Sequence, residues 1–305
     1  MLKGRVFKST GSWYNVQVGD QFYNCRLRGK MRLSEDKVTN PVAVGDFVEI
    51  VLENDKEGII HQVVDRRNYI IRKSTRKKWH SHMLAANIDQ AALIVTLVHP
   101  RTSLGFIDRF LVACESFRIP AALIFNKADL LNAAALQYYE DLKFDYEALG
   151  YQVMLTSAET GANMQQLMLA LQQKTTLFSG HSGVGKSTLL NVIAPAVDQR
   201  TAEVSEAVGK GTHTTTFAEM FEVANETYLI DTPGIKELGL WNISDEELSH
   251  YFPEMRAFIG ECRFNNCTHI HEPGCAFREA MEAGEIAPSR YENYLSMLAD
   301  DDNRR

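Results

Sequence analysis

The chain changes its hydrophobic rhythm three times. Over residues 1–72, short runs alternate apolar and polar positions: Leu2–Phe7, Trp13–Val18, Gln21–Leu27, Phe47–Leu52 and Gly58–Val64, separated by turn residues such as Gly19-Asp20, Gly45-Asp46 and Asn54-Asp55. A period of two is that of a half-buried strand, and five such strands fit a small closed barrel, either the oligonucleotide-binding (OB) fold or an SH3-like one. From Asp89, apolar runs alternate with amphipathic segments, the pattern of a mostly parallel α/β sheet. It predicts strands at Ala91–Val98, Ala121–Phe125, Gln152–Leu155, Thr176–Ser179 and Thr227–Ile230, with helices over Phe106–Phe117, Ala133–Leu149, Gly161–Lys174 and Lys186–Ile193. Phe106, Phe110, Leu111 and Phe117 recur at helical spacing and read as core. Past Ile235 the pattern turns helical, at Ser244–Phe252 and from Pro288 to Met297, where Tyr291, Tyr294, Leu295 and Leu298 share a face. The expected architecture is multidomain: an OB-like β-barrel over 1–72, a linker over 73–88, a central α/β domain over 89–240 and a mainly helical C-terminal domain over 241–305.

Between the strand Thr176–Ser179 and the helix from Lys186 lies Gly180-His181-Ser182-Gly183-Val184-Gly185-Lys186-Ser187-Thr188. A strand, a glycine-rich loop and a helix in that order form a phosphate cradle (P-loop): backbone N–H groups turn inward and the helix N-terminus adds positive potential. Lys186 would bridge the β- and γ-phosphate oxygens and the Ser187 hydroxyl would ligate Mg²⁺. At the end of the strand Ala121–Phe125 stands Asn126-Lys127-Ala128-Asp129. The Asp129 carboxylate can accept from the N1–H and 2-amino groups of guanine; adenine offers neither, so it would leave the carboxylate unpaired. Asn126 would tie the loop to the base's neighbourhood, and the Lys127 stem would lie along the ring. Ser157-Ala158, after the next strand, would place backbone N–H groups at the guanine 6-oxo group.

Two loops after the P-loop complete a switch. Gly209–Thr216 is rich in hydroxyls, and Thr215, with Thr214 as second choice, would ligate Mg²⁺ and sense the γ-phosphate. Asp231-Thr232-Pro233-Gly234 would hold Mg²⁺ through Asp231 and face the γ-phosphate with the Gly234 N–H. Many GTPases carry a water-orienting glutamine just after this motif; here the position is Ile235, so intrinsic hydrolysis should be slow, with His213 the candidate for orienting water. The guanine motifs precede the P-loop, and the switches follow it, which permutes the usual order. A parallel sheet tolerates this because a ligand meets only the loops at the strand ends.

Three of the five cysteines fall in Cys262-x4-Cys267-x-His269-x5-Cys275, four soft or borderline ligands that suit one structural tetrahedral Zn²⁺, with His271 the competing imidazole. Cys25 and Cys114 read as core thiols. Net charge is −7, yet no acidic residue occurs from Arg66 to Ile88, a block containing Arg72, Lys73, Arg76, Lys77 and Lys78. Such a run reads as an exposed joint favouring a polyanion, most simply RNA. Arg28 and Lys30 lie on the barrel near Phe22 and Tyr23, which are either stacking rings in an RNA groove or barrel core. His80 and His82 go with the basic joint. Apolar content of 45% and charged content of 23% are those of a soluble globular protein. No apolar run reaches the roughly 20 residues of a bilayer span, and no secretory leader is evident, so no membrane partner and a cytoplasmic location are expected. No oligomer seam is apparent, so a monomer is expected.

Together the motifs Asn126–Asp129, Gly180–Thr188, His213–Thr216, Asp231–Gly234 and the Cys3His set resemble those of the circularly permuted, small-ribosomal-subunit-dependent GTPases of bacteria (the ribosome small subunit-dependent GTPase A family). The resemblance implies an OB barrel, GTP hydrolysis to GDP and phosphate stimulated by the 30S subunit, contact with 16S rRNA, and a role in late 30S maturation. It also supports His213 as the catalytic candidate. One departure is Thr212, where a basic residue is expected, which bears on that loop's contacts to rRNA or phosphate. A P-loop kinase of a small metabolite would not need Asn126–Asp129, and a passive RNA scaffold would hold GTP without turnover.

Overall fold

The computed structural model describes residues 1–29, 41–73, 81–195, 218–232 and 243–299, with the backbone alone at 72, 73, 81 and 82. Strands β1 (Leu2–Ser9), β2 (Tyr14–Val18), β3 (Gln21–Leu27), β4 (Phe47–Leu52) and β5 (Glu57–Val63) close on themselves in the order β1-β2-β3-β5-β4. The β3–β5 pair is parallel and the others antiparallel. Alternate residues point inward, so Val6, Tyr14, Val16, Tyr23, Cys25, Val48, Ile50 and Ile60 make one core. The two rings left open by the sequence part company on this period of two: Tyr23 is core, while Phe22 is 44% exposed.

The acid-free segment is not merely an exposed joint. Its two apolar ends pair as an antiparallel hairpin, β6 (Tyr69–Lys73) and β7 (Ser81–Ala86), burying Ile70, Ala85 and Ala86. The boundary drawn at residue 72 therefore falls inside β6.

The second sheet comprises β8 (Gln90–Val95), β9 (Ala121–Phe125), β10 (Gln152–Leu155), β11 (Thr175–Gly180), β12 (Glu219–Ala224) and β13 (Thr227–Asp231), in the order β10-β9-β8-β11-β13-β12. All are parallel except β12, which runs antiparallel to β13. Helices α1 (Leu104–Ser116), α2 (Ala133–Ala148), α3 (Met164–Leu171) and α4 (Lys186–Ile193) connect them. Continuous apolar runs such as Ala91–Val95 are buried on both faces, which is why these strands read clearly. β12 has only Met220 buried, so its weak alternation predicted nothing. β1 also pairs with β12 at Lys8↔Glu219, joining barrel to sheet.

The C-terminal region consists of α5 (Asp245–Leu248), α6 (Pro253–Arg256), α7 (Ala276–Glu282) and α8 (Pro288–Leu298). The expected single helix Ser244–Phe252 breaks into α5 and a 3₁₀ turn at Ser249–Tyr251, since Pro253 disfavours helical backbone at Phe252. α8 docks on α1 through a buried polar cluster. Asp108 accepts from Arg290 Nη1 at 2.5 Å, Tyr146 Oη at 2.8 Å and Asn293 Nδ2 at 2.5 Å, while Arg290 Nε donates to Glu254 Oε1 at 2.7 Å. This explains why Gly105 through Cys114 are buried all round α1: one side faces the sheet and the other the C-terminal helices.

Candidate functional site

In-register pairing of Val95 with Phe125, Phe125 with Leu155, and Ile94 with Gly180 brings the carboxyl ends of β8, β9, β10 and β11 to one edge; Asp231 ends β13 opposite Phe178. Loops from four distant stretches of sequence thereby meet, at the place where ligands bind in open α/β sheets. The P-loop leaves β11 at Gly180 and enters α4 at Lys186, with Gly183 and Gly185 both at φ +88°. Gly185 is required twice over, for its left-handed backbone and because a Cβ there would stand 2.4 Å from Asn126 Nδ2. Ser182, Ser187 and Thr188 are exposed on the loop's open side, Val184 is buried beneath it, and the His181 ring lies 3.7 Å from that of Phe106 in the first turn of α1.

Asn126 is the junction. Its Nδ2 donates to Val184 O at 2.9 Å; its Oδ1 accepts from Ala158 N at 3.2 Å and from Thr156 Oγ1 at 3.4 Å. One buried amide thus joins the P-loop, its own loop and the Thr156–Ala158 loop. The Ala158 N–H, expected at a guanine oxygen, is engaged by Asn126 Oδ1 here. Ser157 acts through its side chain as well: its hydroxyl donates to Asp129 Oδ1 and accepts from Thr160 N at 3.2 Å. Asp129 is otherwise exposed, with capacity to accept from a ligand. Lys127 is left-handed at φ +67° and donates from Nζ to His99 O at 2.6 Å. Lys186 Nζ donates to Asp231 Oδ1, so the expected phosphate-binding cation and Mg²⁺-associated carboxylate are in contact.

His213, Thr215 and its alternative Thr214, Gly234, Lys30, Arg76, Lys77 and Lys78 lie outside the described residues. Arg72 and Lys73 are in β6. Arg28 is exposed on the barrel, its Nη1 3.5 Å from His61 Nδ1.

Cys262, Cys267, His269 and Cys275 offer ligand atoms all within 4.8 Å of one another; His271 is not part of the group. Three thiols and an imidazole are a donor set that could hold a metal ion. Burial pushes the Cys267 thiol up to about 12, so a metal must displace protons there and binding tightens as pH rises. The loop is shaped by residues the sequence reading missed. Glu272 accepts from Thr268 N and Oγ1 and from Ile270 N, at 2.8, 2.6 and 3.1 Å, which holds its carboxyl well below the usual range against the opposing effect of burial. Tyr291 and Tyr294 of α8 donate to His269 O and Thr268 O, each at 2.7 Å. A glutamate three residues from ligands on either side was the available signal for Glu272; nothing local marks the tyrosines as partners of this loop.

Two family models match the chain: RsgA GTPase over residues 63–241 and RsgA N-terminal domain over residues 3–60. A protein of Cytophaga hutchinsonii called small ribosomal subunit biogenesis GTPase RsgA is 52% identical, with all of both chains covered. One of Bacteroides thetaiotaomicron, small ribosomal subunit biogenesis GTPase RsgA 2, is 49% identical over 98% of this chain and 97% of its own. Among solved structures, YjeQ from Thermotoga maritima aligns with a TM-score of 0.80 at 35% identity, covering 100% of this chain and 99% of that one. YloQ, described as a circularly permuted GTPase, aligns with a TM-score of 0.76 at 31% identity, covering 100% and 96%.

Proposed function

The chain belongs to the RsgA GTPase family, and from that premise we propose how its residues serve GTP hydrolysis in small ribosomal subunit biogenesis. The enzyme converts GTP and water to GDP and phosphate. Asp129, oriented by Ser157, reads guanine, with the Lys127 stem along the ring; Ala158 N–H meets the 6-oxo group. Gly180 through Thr188 wrap the phosphates, and Lys186 exchanges its contact with Asp231 for phosphate oxygens. The Ser187 hydroxyl in the first turn of α4 and the Asp231 carboxylate at the end of β13 are hard oxygen donors that would hold Mg²⁺ together with Thr215, Asp231 through a water. When bound, that ion neutralises charge on the phosphates. His213 orients the attacking water, and the Gly234 N–H senses the γ-phosphate. The observation that supports this reading most is the Asn126 junction, which makes one pocket of the guanine loop and the phosphate loop.

The Cys3His set binds zinc, which stabilises the C-terminal fold. Arg28, Lys30 and the cations of residues 72–78 contact 16S rRNA, so the 30S subunit is both docking site and stimulator, late in its maturation. Because Ile235 offers water no hydrogen bond, turnover alone is slow and rises on 30S. The protein acts as a monomer in the cytoplasm; among the described residues no helix is long and apolar enough to cross a membrane. Phosphate release from GTP with and without purified 30S subunits tests the reading: stimulation is expected, and equal rates for GTP and ATP would overturn it. His213→Ala should abolish the stimulated rate while GTP affinity stays normal.

A further inference from the structure

The turn between β8 and α1, residues 96–103, belongs to none of the motifs above, yet it touches both halves of the nucleotide pocket. On the guanine side, His99 O receives the Lys127 ammonium at 2.6 Å. On the phosphate side, Pro100 lies against the P-loop: a Cβ on Gly183 would stand 3.3 Å from Pro100 Cδ. At the end of the turn, Ser103 Oγ accepts from Phe106 N at 3.3 Å, and the Phe106 ring faces His181. His99 occupies the left-handed region at φ +43°, which a non-glycine residue adopts only when its surroundings hold it there. What holds the turn is a closed set of hydrogen bonds centred on one side chain. Thr96 is fully buried; its Oγ1 donates to Pro100 O, its N–H donates to Thr102 Oγ1 at 3.1 Å, and its O accepts from Thr102 N at 2.8 Å.

The geometry points to Thr96 as a positioning residue for the nucleotide, acting through the His99–Thr102 turn on Lys127 and on the P-loop at Gly183. Lys127 combines a left-handed backbone with a long flexible stem, and such a stem lies along a base plane only where its ammonium has a fixed acceptor. The His99 carbonyl is that acceptor, and the Thr96 hydroxyl fixes the peptide that follows it. The same hydroxyl keeps the proline ring under Gly183, so guanine and phosphate contacts share one support. Being a buried threonine at the end of an apolar strand, Thr96 gives no sign of this role in sequence.

This inference rests on the nucleotide reading above, and the experiment separates the two. Fluorescent mant-GDP is titrated into the full-length protein and its Thr96→Val, Thr96→Ser, Lys127→Ala and Thr96→Val/Lys127→Ala variants, with melting of each followed without nucleotide. Thr96→Val should weaken binding about three- to tenfold, the worth of one hydrogen bond. Thr96→Ser, which keeps the hydroxyl, should restore affinity. In the Lys127→Ala background the valine should cost clearly less than it does alone, because its main route of action is gone. Thr102→Val, which removes the acceptor of the Thr96 N–H, is a second variant with the same expected loss. Unchanged affinity in both valine variants, or full additivity with Lys127→Ala, overturns the positioning role. If the unsubstituted protein fails to bind mant-GDP at all, the nucleotide reading falls instead.

Discussion

The nucleotide loops and the Cys3His loop differ in how far apart their residues lie along the chain and in what holds them still. Asn126, Ser157, Lys186 and Asp231 come from four strand ends, and their geometry is inherited from an apolar parallel sheet that would exist without them. Cys262 through Cys275 span one short loop whose flanking helices are mostly too short to be stable alone. Here the core includes the ligands: Cys262 and Cys275 pack with Phe277 and Tyr294. The first site is therefore carried by its fold, whereas the second helps to make the fold it belongs to.

Disabling the Cys3His set is the strongest way to break that contrast. If it holds a structural zinc as proposed, Cys262→Ser or a chelator should unfold the C-terminal region, since such an ion contributes about 10 kcal/mol of apparent folding energy. Proteolysis and circular dichroism would report the loss, and GDP affinity should survive. If GDP binding vanished together with the metal, the two sites would not be independent. Next in size, Asp129→Asn should shift preference from GTP to XTP, whose 2-oxo group accepts from an amide. A discrimination of about 10³-fold or more is expected in competition titrations, with melting unchanged.

Arg290→Met tests the bridge between the two regions. It strands Asp108 and Glu254 as buried acids without their cation, at a cost of about 3–5 kcal/mol in urea unfolding. The smallest effect concerns Glu272, whose carboxyl is held below its ordinary value near 4.5. A depressed acid stabilises the fold above the unfolded-state value and loses that contribution as pH falls through its folded value. Glu272→Gln should thus lower stability by about 1 kcal/mol at pH 7 and narrow its gap to the parent protein in acid.

Legibility follows from how local each cause is. The P-loop, Asn126–Asp129 and the four residues of the Cys3His cluster are contiguous or closely spaced, and each has a chemical reason for its residue types, so sequence alone singles them out as candidates. The barrel strands and β8 to β11 were legible because their inward faces repeat without interruption. Asn126's bond to Val184 spans 58 residues and that of Arg290 to Asp108 spans 182, distances over which periodicity says nothing. Asp108 is buried because its helix has two neighbours, the sheet and the C-terminal helices, and the spacing of Phe106, Phe110, Leu111 and Phe117 reveals only one of them. The hairpin β6–β7 was obscured by its cations, which hid two short apolar ends able to pair.

The seam at Lys8 and Glu219 has a consequence for fragments of this protein. β12 is an outermost strand of its sheet, and β1 covers part of its free hydrogen-bonding side, helped by Arg5 reaching Thr175 Oγ1 at 2.7 Å and stacking over Tyr228. Cutting away the first 60 residues would bare backbone donors and acceptors along that rim. Such a truncated chain would tend to zip onto its own copies, so the barrel also acts as a guard against self-association.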